Sequence, residues 1–222
     1  HCISSAASDV YKRQTPDGFC FAVKAPRFIT HIRRLDDVAM PIANFFASGP
    51  LQLGAKLGPI LWQFPPSMAF DEERFTEFLD LLPKDTEQAL RQARQADRQH
   101  DGSLEVPHHQ KLRHAVEIRH ASFLDPAFIK LLRKHKVALV FADSAGKWPY
   151  AEDLTADFVY LRLHGNKKLY ESGYDEDAID HWHQRIATWS RGQQPGDARL
   201  VDSRKPRTRA SRDVYCCLLY TS

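Results

Sequence analysis

Cysteine is scarce, with four in 222 residues. Cys2 and Cys217 fall in terminal stretches read below as foreign, Cys216 stands at a junction, and Cys20 alone lies within a strand-like run. That set builds neither a disulfide framework nor a cysteine-based zinc site, and a reducing compartment is expected. Apolar runs are short, none approaching the ~20 residues a membrane-spanning helix needs. Cytoplasmic placement is therefore the default, with no membrane partner. Also missing are a Gly-rich phosphate loop, a nucleophile elbow and an HExxH metal motif, which sets aside the common dinucleotide enzymes and serine hydrolases. No motif identifies a cofactor, and the oligomeric state is open.

Both ends of the chain read as something other than protein. Ser4–Gln14, SSAASDVYKRQ, back-translates without a mismatch to a transposase sequencing adapter. Cys217–Ser222, CLLYTS, back-translates to the reverse complement of its terminal element in another frame. Residues 1–14 and 217–222 are therefore set aside as adapter translation, and 15–216 are read as one partial α/β-barrel domain. The net charge of +3 comes mostly from Arg199, Arg204, Lys205, Arg207, Arg209 and Arg212. A solvated loop explains that cluster better than a nucleic-acid arm.

What is present is an alternation of short apolar runs with helical patterns. FCFAVK (Phe19–Lys24), LGPILWQ (Leu57–Gln63), Arg113–Arg119, Val137–Asp143 and Phe158–His164 read as buried parallel strands, and Asp213 opens another. Between them, Val38, Ile42, Phe45 and Phe46 share one helix face. Phe75, Phe78, Leu79 and Leu82 form a stripe behind an Asp71 N-cap, and Phe128, Leu131 and Leu132 follow Asp125–Pro126. Ile179, Trp182, Ile186 and Trp189 mark a further face, while Lys84–Lys111 reads as a solvated helix and loop inserted between strands. Strands separated by helices mean βαβ units and a parallel sheet.

Polar residues close these runs: Lys24, Gln63, Glu117 with Arg119, Asp143, and Arg162 with His164. In parallel α/β folds the carboxyl ends of strands are the functional face. Alternation puts Glu117 and Arg119 on one face of their strand, and Arg162 and His164 on one face of theirs. The functional reading is a small anionic ligand, bearing phosphate or carboxylate, held by Lys24, Gln63, Arg119, Arg162 and His164 while Glu117 or Asp143 moves a proton. Hydrolysis is among the reactions this would allow. The structural reading is a buried ion-pair layer. A noncatalytic site for nucleic acid or a small ligand stands as the alternative function. His31, His120 and His164 also follow strands, but their spacing is not that of a metal site, and no metal is expected.

Four segments in order, FAVKAPRFITH (Phe21–His31), LGPILWQFPPSMAFD (Leu57–Asp71), VEIRHASF (Val116–Phe123) and DFVYLRLHG (Asp157–Gly165), resemble the domain of unknown function 72 family, the YecE-like proteins. The resemblance implies a TIM-type (β/α) barrel without an established activity. It also implies an opening Gly-Trp-Tyr-rich strand with a Glu-x-Asn segment, and a closing aromatic strand ending in Asn-Asp. Neither is found here, and DVYC (Asp213–Cys216) matches only the start of the closing strand. The barrel is thus expected to be incomplete in this chain, with unpaired sheet edges that favour aggregation.

Overall fold

The structure, a computed structural model, describes residues 12–97, 106–165, 173–204, 206 and 208–218. The chain divides into two compact units, His1–Gln63 with Glu73–His114, and Phe64–Glu72 with Ala115–Ser222.

In the first unit β1 (Phe21–Lys24) pairs in parallel with β2 (Leu57–Gln63), whose residues are all buried. The register steps from Phe21↔Leu57 to Val23↔Ile60, so β2 carries one extra residue. Pro59 lies within that step and has no N–H for the ladder, which accounts for the bulge. Gly58 beside it is sterically required, because a Cβ there would stand 2.4 Å from Cys20 Sγ and 3.0 Å from the Phe21 carbonyl oxygen. Three α-helices accompany the strands among the described residues: α1 (Ala39–Ala47), α2 (Glu72–Leu81) and α3 (Thr86–Ala93). The first two bury the expected stripes, Ile42, Phe45 and Phe46, and Phe75, Phe78 and Leu79. Helix α3 lies in the expected insertion, capped by Asp85, which accepts from the Gln88 N–H at 2.8 Å. Its buried side is small, Ala89 and Ala93, which is why no large apolar stripe betrays it. The remainder of the insertion, 98–105, is outside the described residues.

In the second unit β3 (His114–Glu117, its first residue counted with the other unit), β4 (Ala138–Asp143), β5 (Phe158–Leu163) and β6 (Asp213–Leu218) pair in parallel in that order. Strand β6 runs on through Cys217 and Leu218, residues set aside from the sequence. Helix α4 (Pro126–His135) starts at the Asp125 cap with Pro at its first position and ends on Lys136 at φ 57°, a left-handed terminus. Helix α5 (Glu176–Ser190) buries Trp182, Arg185 and Trp189. Ile179, expected on that face, is 55% exposed, and the face is completed instead by Arg185.

One expected βαβ unit has no helix. Between β4 and β5 the chain crosses as irregular structure over 144–157, held by side-chain hydrogen bonds. Thr155 Oγ1 donates to the Val137 carbonyl at 2.6 Å and accepts from the Leu139 N–H at 2.8 Å. Fully buried Asp153 accepts from the N–H groups of Val201 and Asp202 at 2.8 and 3.0 Å. The basic segment following α5 is accordingly not a freely solvated loop. Arg133 pairs with Asp202 at 2.7 Å, Arg204 pairs with the same carboxylate, and buried Arg212 donates to the Gly192 carbonyl at 2.5 Å. Lys205 and Arg207 lie outside the described residues.

Candidate functional site

The polar strand ends of the second unit meet in a charged cluster. Glu117, the last residue of β3, is fully buried, and each carboxylate oxygen accepts from a guanidinium. Arg119 Nε donates to Oε1 at 3.0 Å, and Arg162 Nη1, from β5, makes a short bond to Oε2. Register explains the meeting. Ala115 aligns with Ala138, which carries Glu117 to the level of Val140, and Val140 aligns with Tyr160. One layer further along, Arg162 aligns with Ala142, whose small side chain leaves room for the guanidinium to turn toward Glu117. Burial disfavours charge on Arg162, but the Glu117 carboxylate and its hydrogen bond outweigh that cost and hold the guanidinium above its ordinary pKa. Tyr160, on the same face, is pushed up to about 12, chiefly by burial, with Glu117 adding to the shift and Arg162 opposing it.

Asp143 closes β4 and is half-exposed. Its Oδ2 accepts from the Tyr174 hydroxyl at 2.8 Å, and that hydroxyl accepts from the Gly165 N–H at 3.1 Å. Burial, with Asp143 adding, raises the Tyr174 phenol above its ordinary pKa, so the proton stays on the tyrosine and the bond runs toward the carboxylate. The backbone ties the same two strand ends together, the His164 N–H donating to the Asp143 carbonyl at 2.9 Å. His164 itself is fully buried.

After Asp143 a turn through Ala145 and Gly146, both at positive φ (50° and 76°), brings Trp148 back over the cluster. Ser144 Oγ accepts the Trp148 N–H at 2.9 Å and fixes the turn. The Arg119 guanidinium carbon then lies 4.9 Å from the Trp148 ring centroid, with Lys147 Nζ at 5.1 Å. A second polar knot lies on the crossover. Tyr150 makes a short bond to buried Glu152, Arg185 Nη1 binds the same carboxylate at 2.8 Å, and Arg185 also reaches His181 at 2.9 Å and Asp197 at 2.8 Å. Burial raises both Glu152 and Tyr150 above their ordinary values.

Of the residues singled out from the sequence, Glu117, Arg119 and Arg162 are brought into direct contact, and Asp143 and His164 are joined through the backbone. Lys24 and Gln63 belong to the first unit and pair with each other, Nζ to Oε1, at 2.8 Å. His120 accepts from the Ser122 N–H at 3.2 Å and so caps a short turn, and His31 contacts the Thr30 hydroxyl at 2.8 Å. Among the described residues no three His, Cys, Asp or Glu side chains are grouped to hold a metal. Trp62 and Phe64 are fully buried core residues. Tyr174, Glu152 and Arg185 escaped the sequence reading because they stand outside the strand ends. Arg185 had one legible signal, its i, i+3 and i+7 spacing with Trp182 and Trp189.

A family model described as "Protein of unknown function DUF72" matches residues 2–212. The fold resembles the crystal structure of a DUF72 family protein from Thermotoga maritima, with a TM-score of 0.66 and 22% identity over 97% of this chain and 72% of that one. A DUF72 family protein from Enterococcus faecalis gives 0.64 and 14% over 99% and 78%. No curated protein matches the chain.

Proposed function

The chain belongs to the DUF72 family of proteins of unknown function, and from that premise we propose that it is a TIM-type barrel protein whose strand carboxyl ends bind a small anion and carry acid/base chemistry upon it. The observation that carries this reading is the Arg119–Glu117–Arg162 triad, with half-buried Asp143 ending the strand that lies between Glu117 and Arg162. Two guanidinium groups share one carboxylate, so the triad keeps one positive charge for a ligand. Glu117 is enclosed and already accepts from both arginines, a geometry suited to orienting them. Asp143, open on one side and hydrogen-bonded by Tyr174, is the better placed group to take or return a proton. The enclosed Glu117 also favours a second reading, noncatalytic binding of the same small anion.

Calorimetric titration with acetate and with inorganic phosphate, wild type against Arg119→Lys and Arg162→Lys, tests the site. A point charge cannot reproduce the guanidinium fork, so affinity is expected to fall about tenfold. Unchanged affinity in both variants assigns the triad to structure alone. Turnover of a panel of small phosphate and carboxylate esters, lost in Asp143→Asn while anion binding persists, separates the enzyme from the binder.

A further inference from the structure

Arg119 is held in three ways that leave one edge unused. Its Nε is committed to Glu117, its guanidinium carbon stands over the Trp148 ring 4.9 Å from the centroid, and the Nη1–Nη2 edge makes no hydrogen bond to any described residue. Its side chain is 15% exposed, against 9% for Arg162, so this is the more open of the two guanidinium groups. Trp148 gives up something to stand there. Its indole N–H is buried without an acceptor among the described residues, whereas a buried indole ordinarily finds one. The turn that places it also contains Ala145 at φ 50°, a left-handed conformation unfavourable for a residue with a Cβ. Backbone and side chain alike are compromised to put the ring under the guanidinium.

We propose that Trp148 is the positioning residue of the anion site, holding Arg119 in the plane in which its outer edge pairs with a singly charged carboxylate. The inference rests on the anion-binding reading above and names its ligand class. Charge decides for carboxylate over phosphate. The guanidinium groups of Arg119 and Arg162 carry two positive charges against the one Glu117 carboxylate they share, leaving a surplus of one. A monoanion neutralises that surplus, and a phosphate dianion exceeds it beside the buried Glu117 carboxylate.

The test is calorimetric titration with sodium acetate and with inorganic phosphate for wild type, Trp148→Leu, Trp148→Phe and Arg119→Lys. Wild type is expected to bind acetate more tightly than phosphate. Trp148→Leu should weaken acetate about fivefold, and Trp148→Phe, which keeps an aromatic face, should stay within about twofold. Arg119 Nε–H proton shifts give a ligand-free readout, because the indole shields a guanidinium above it and leucine does not. Acetate affinity unchanged in Trp148→Leu but reduced in Arg119→Lys overturns the role of Trp148 and leaves the site standing. Tighter phosphate than acetate overturns the ligand class alone. If wild type binds neither anion, both the site and this inference fall. Should Trp148→Leu not fold, Trp148→Phe decides, and more than a tenfold loss there overturns the platform.

Discussion

Trp62 donates its indole N–H to Nδ1 of His114 at 3.1 Å, which leaves His114 Nε2 to donate to the Pro83 carbonyl at 2.8 Å. Both ring nitrogens are thereby assigned in the neutral form: Nδ1 accepts and Nε2 carries the proton. A second proton would displace the Trp62 bond, and burial has already lowered the His114 pKa from 6.5 to about 4. The ring also packs beside Trp62, which meets Phe78 edge-on at 5.2 Å, so the polar pair is built into the aromatic core of the first unit.

Stability should therefore fall in mild acid. The folded pKa lies below the unfolded one, so the unfolded chain takes up the proton first. The contribution of His114 is complete above about pH 6.5 and is lost as the pH falls toward 4, a total of about 3 kcal/mol. Urea unfolding at pH 7 and pH 4.5 measures it. His114→Phe should be less stable at pH 7 yet show a smaller drop between the two values, and an equal drop would refute the linkage.

Removing the charge from Glu117 should be costly for folding. In Glu117→Gln the buried Arg162 loses its counter-ion but not its burial, and a buried pair broken on one side costs about 3–5 kcal/mol. Replacing both partners, Glu117→Leu with Arg162→Met, should recover part of that loss because the more buried guanidinium goes with its carboxylate and only the more open Arg119 is left without one. Denaturant midpoints of the single and double variants give the comparison. A double variant worse than Glu117→Gln would mean that the pair contributes net stability.

Gly192 should tolerate no side chain. It ends the turn after α5 at φ 76°, and a Cβ there would lie 1.9 Å from the Arg209 carbonyl oxygen. Gly192→Ala then combines a left-handed alanine, about 1 kcal/mol, with a clash only backbone movement relieves. A melting temperature within a degree of wild type would show that 209–212 shifts freely.

Which features were legible follows from what sets each one. Strands β2 to β5 were readable because both faces are buried, which makes LGPILWQ or FVYLRL a continuous apolar run wherever it sits. The Glu117–Arg119–Arg162 contact was half legible. Alternation puts Glu117 and Arg119 on one face, but the approach of Arg162 needs the strand register, which no local pattern encodes. The helix-free crossover was hidden because Thr155, Asp153 and Glu152 hold it through bonds to residues 16 to 49 positions away. Arg185 stands where an apolar residue would be expected on α5, and its carboxylate partners Glu152 and Asp197 are remote and near in sequence respectively. Its spacing with Trp182 and Trp189 marks the face it stands on, but nothing local marks the carboxylates that satisfy it.

The Tyr174 hydroxyl should matter to Asp143 more than to the fold. It bridges the Gly165 N–H and the Asp143 carboxylate, and Gly165 sits at φ 126°, a conformation open to glycine that turns its N–H to the phenol. Tyr174→Phe keeps the ring and removes the bridge, which should cost about 1 kcal/mol, the net worth of an ordinary hydrogen bond. The local consequences are sharper. The Gly165 amide loses its acceptor and should exchange its hydrogen faster, while amides in the middle of β5 stay protected. Asp143 loses the donor that fixes Oδ2, so the loss of turnover in Tyr174→Phe, on any ester that wild type cleaves, should approach that of Asp143→Asn without a matching loss of anion affinity. Hydrogen exchange and the same titrations measure both. If Gly165 remains protected and turnover is unchanged, the hydroxyl is incidental and Asp143 is oriented by backbone alone, through the His164 N–H and the Ala145 N–H that approaches its Oδ1 at 3.4 Å.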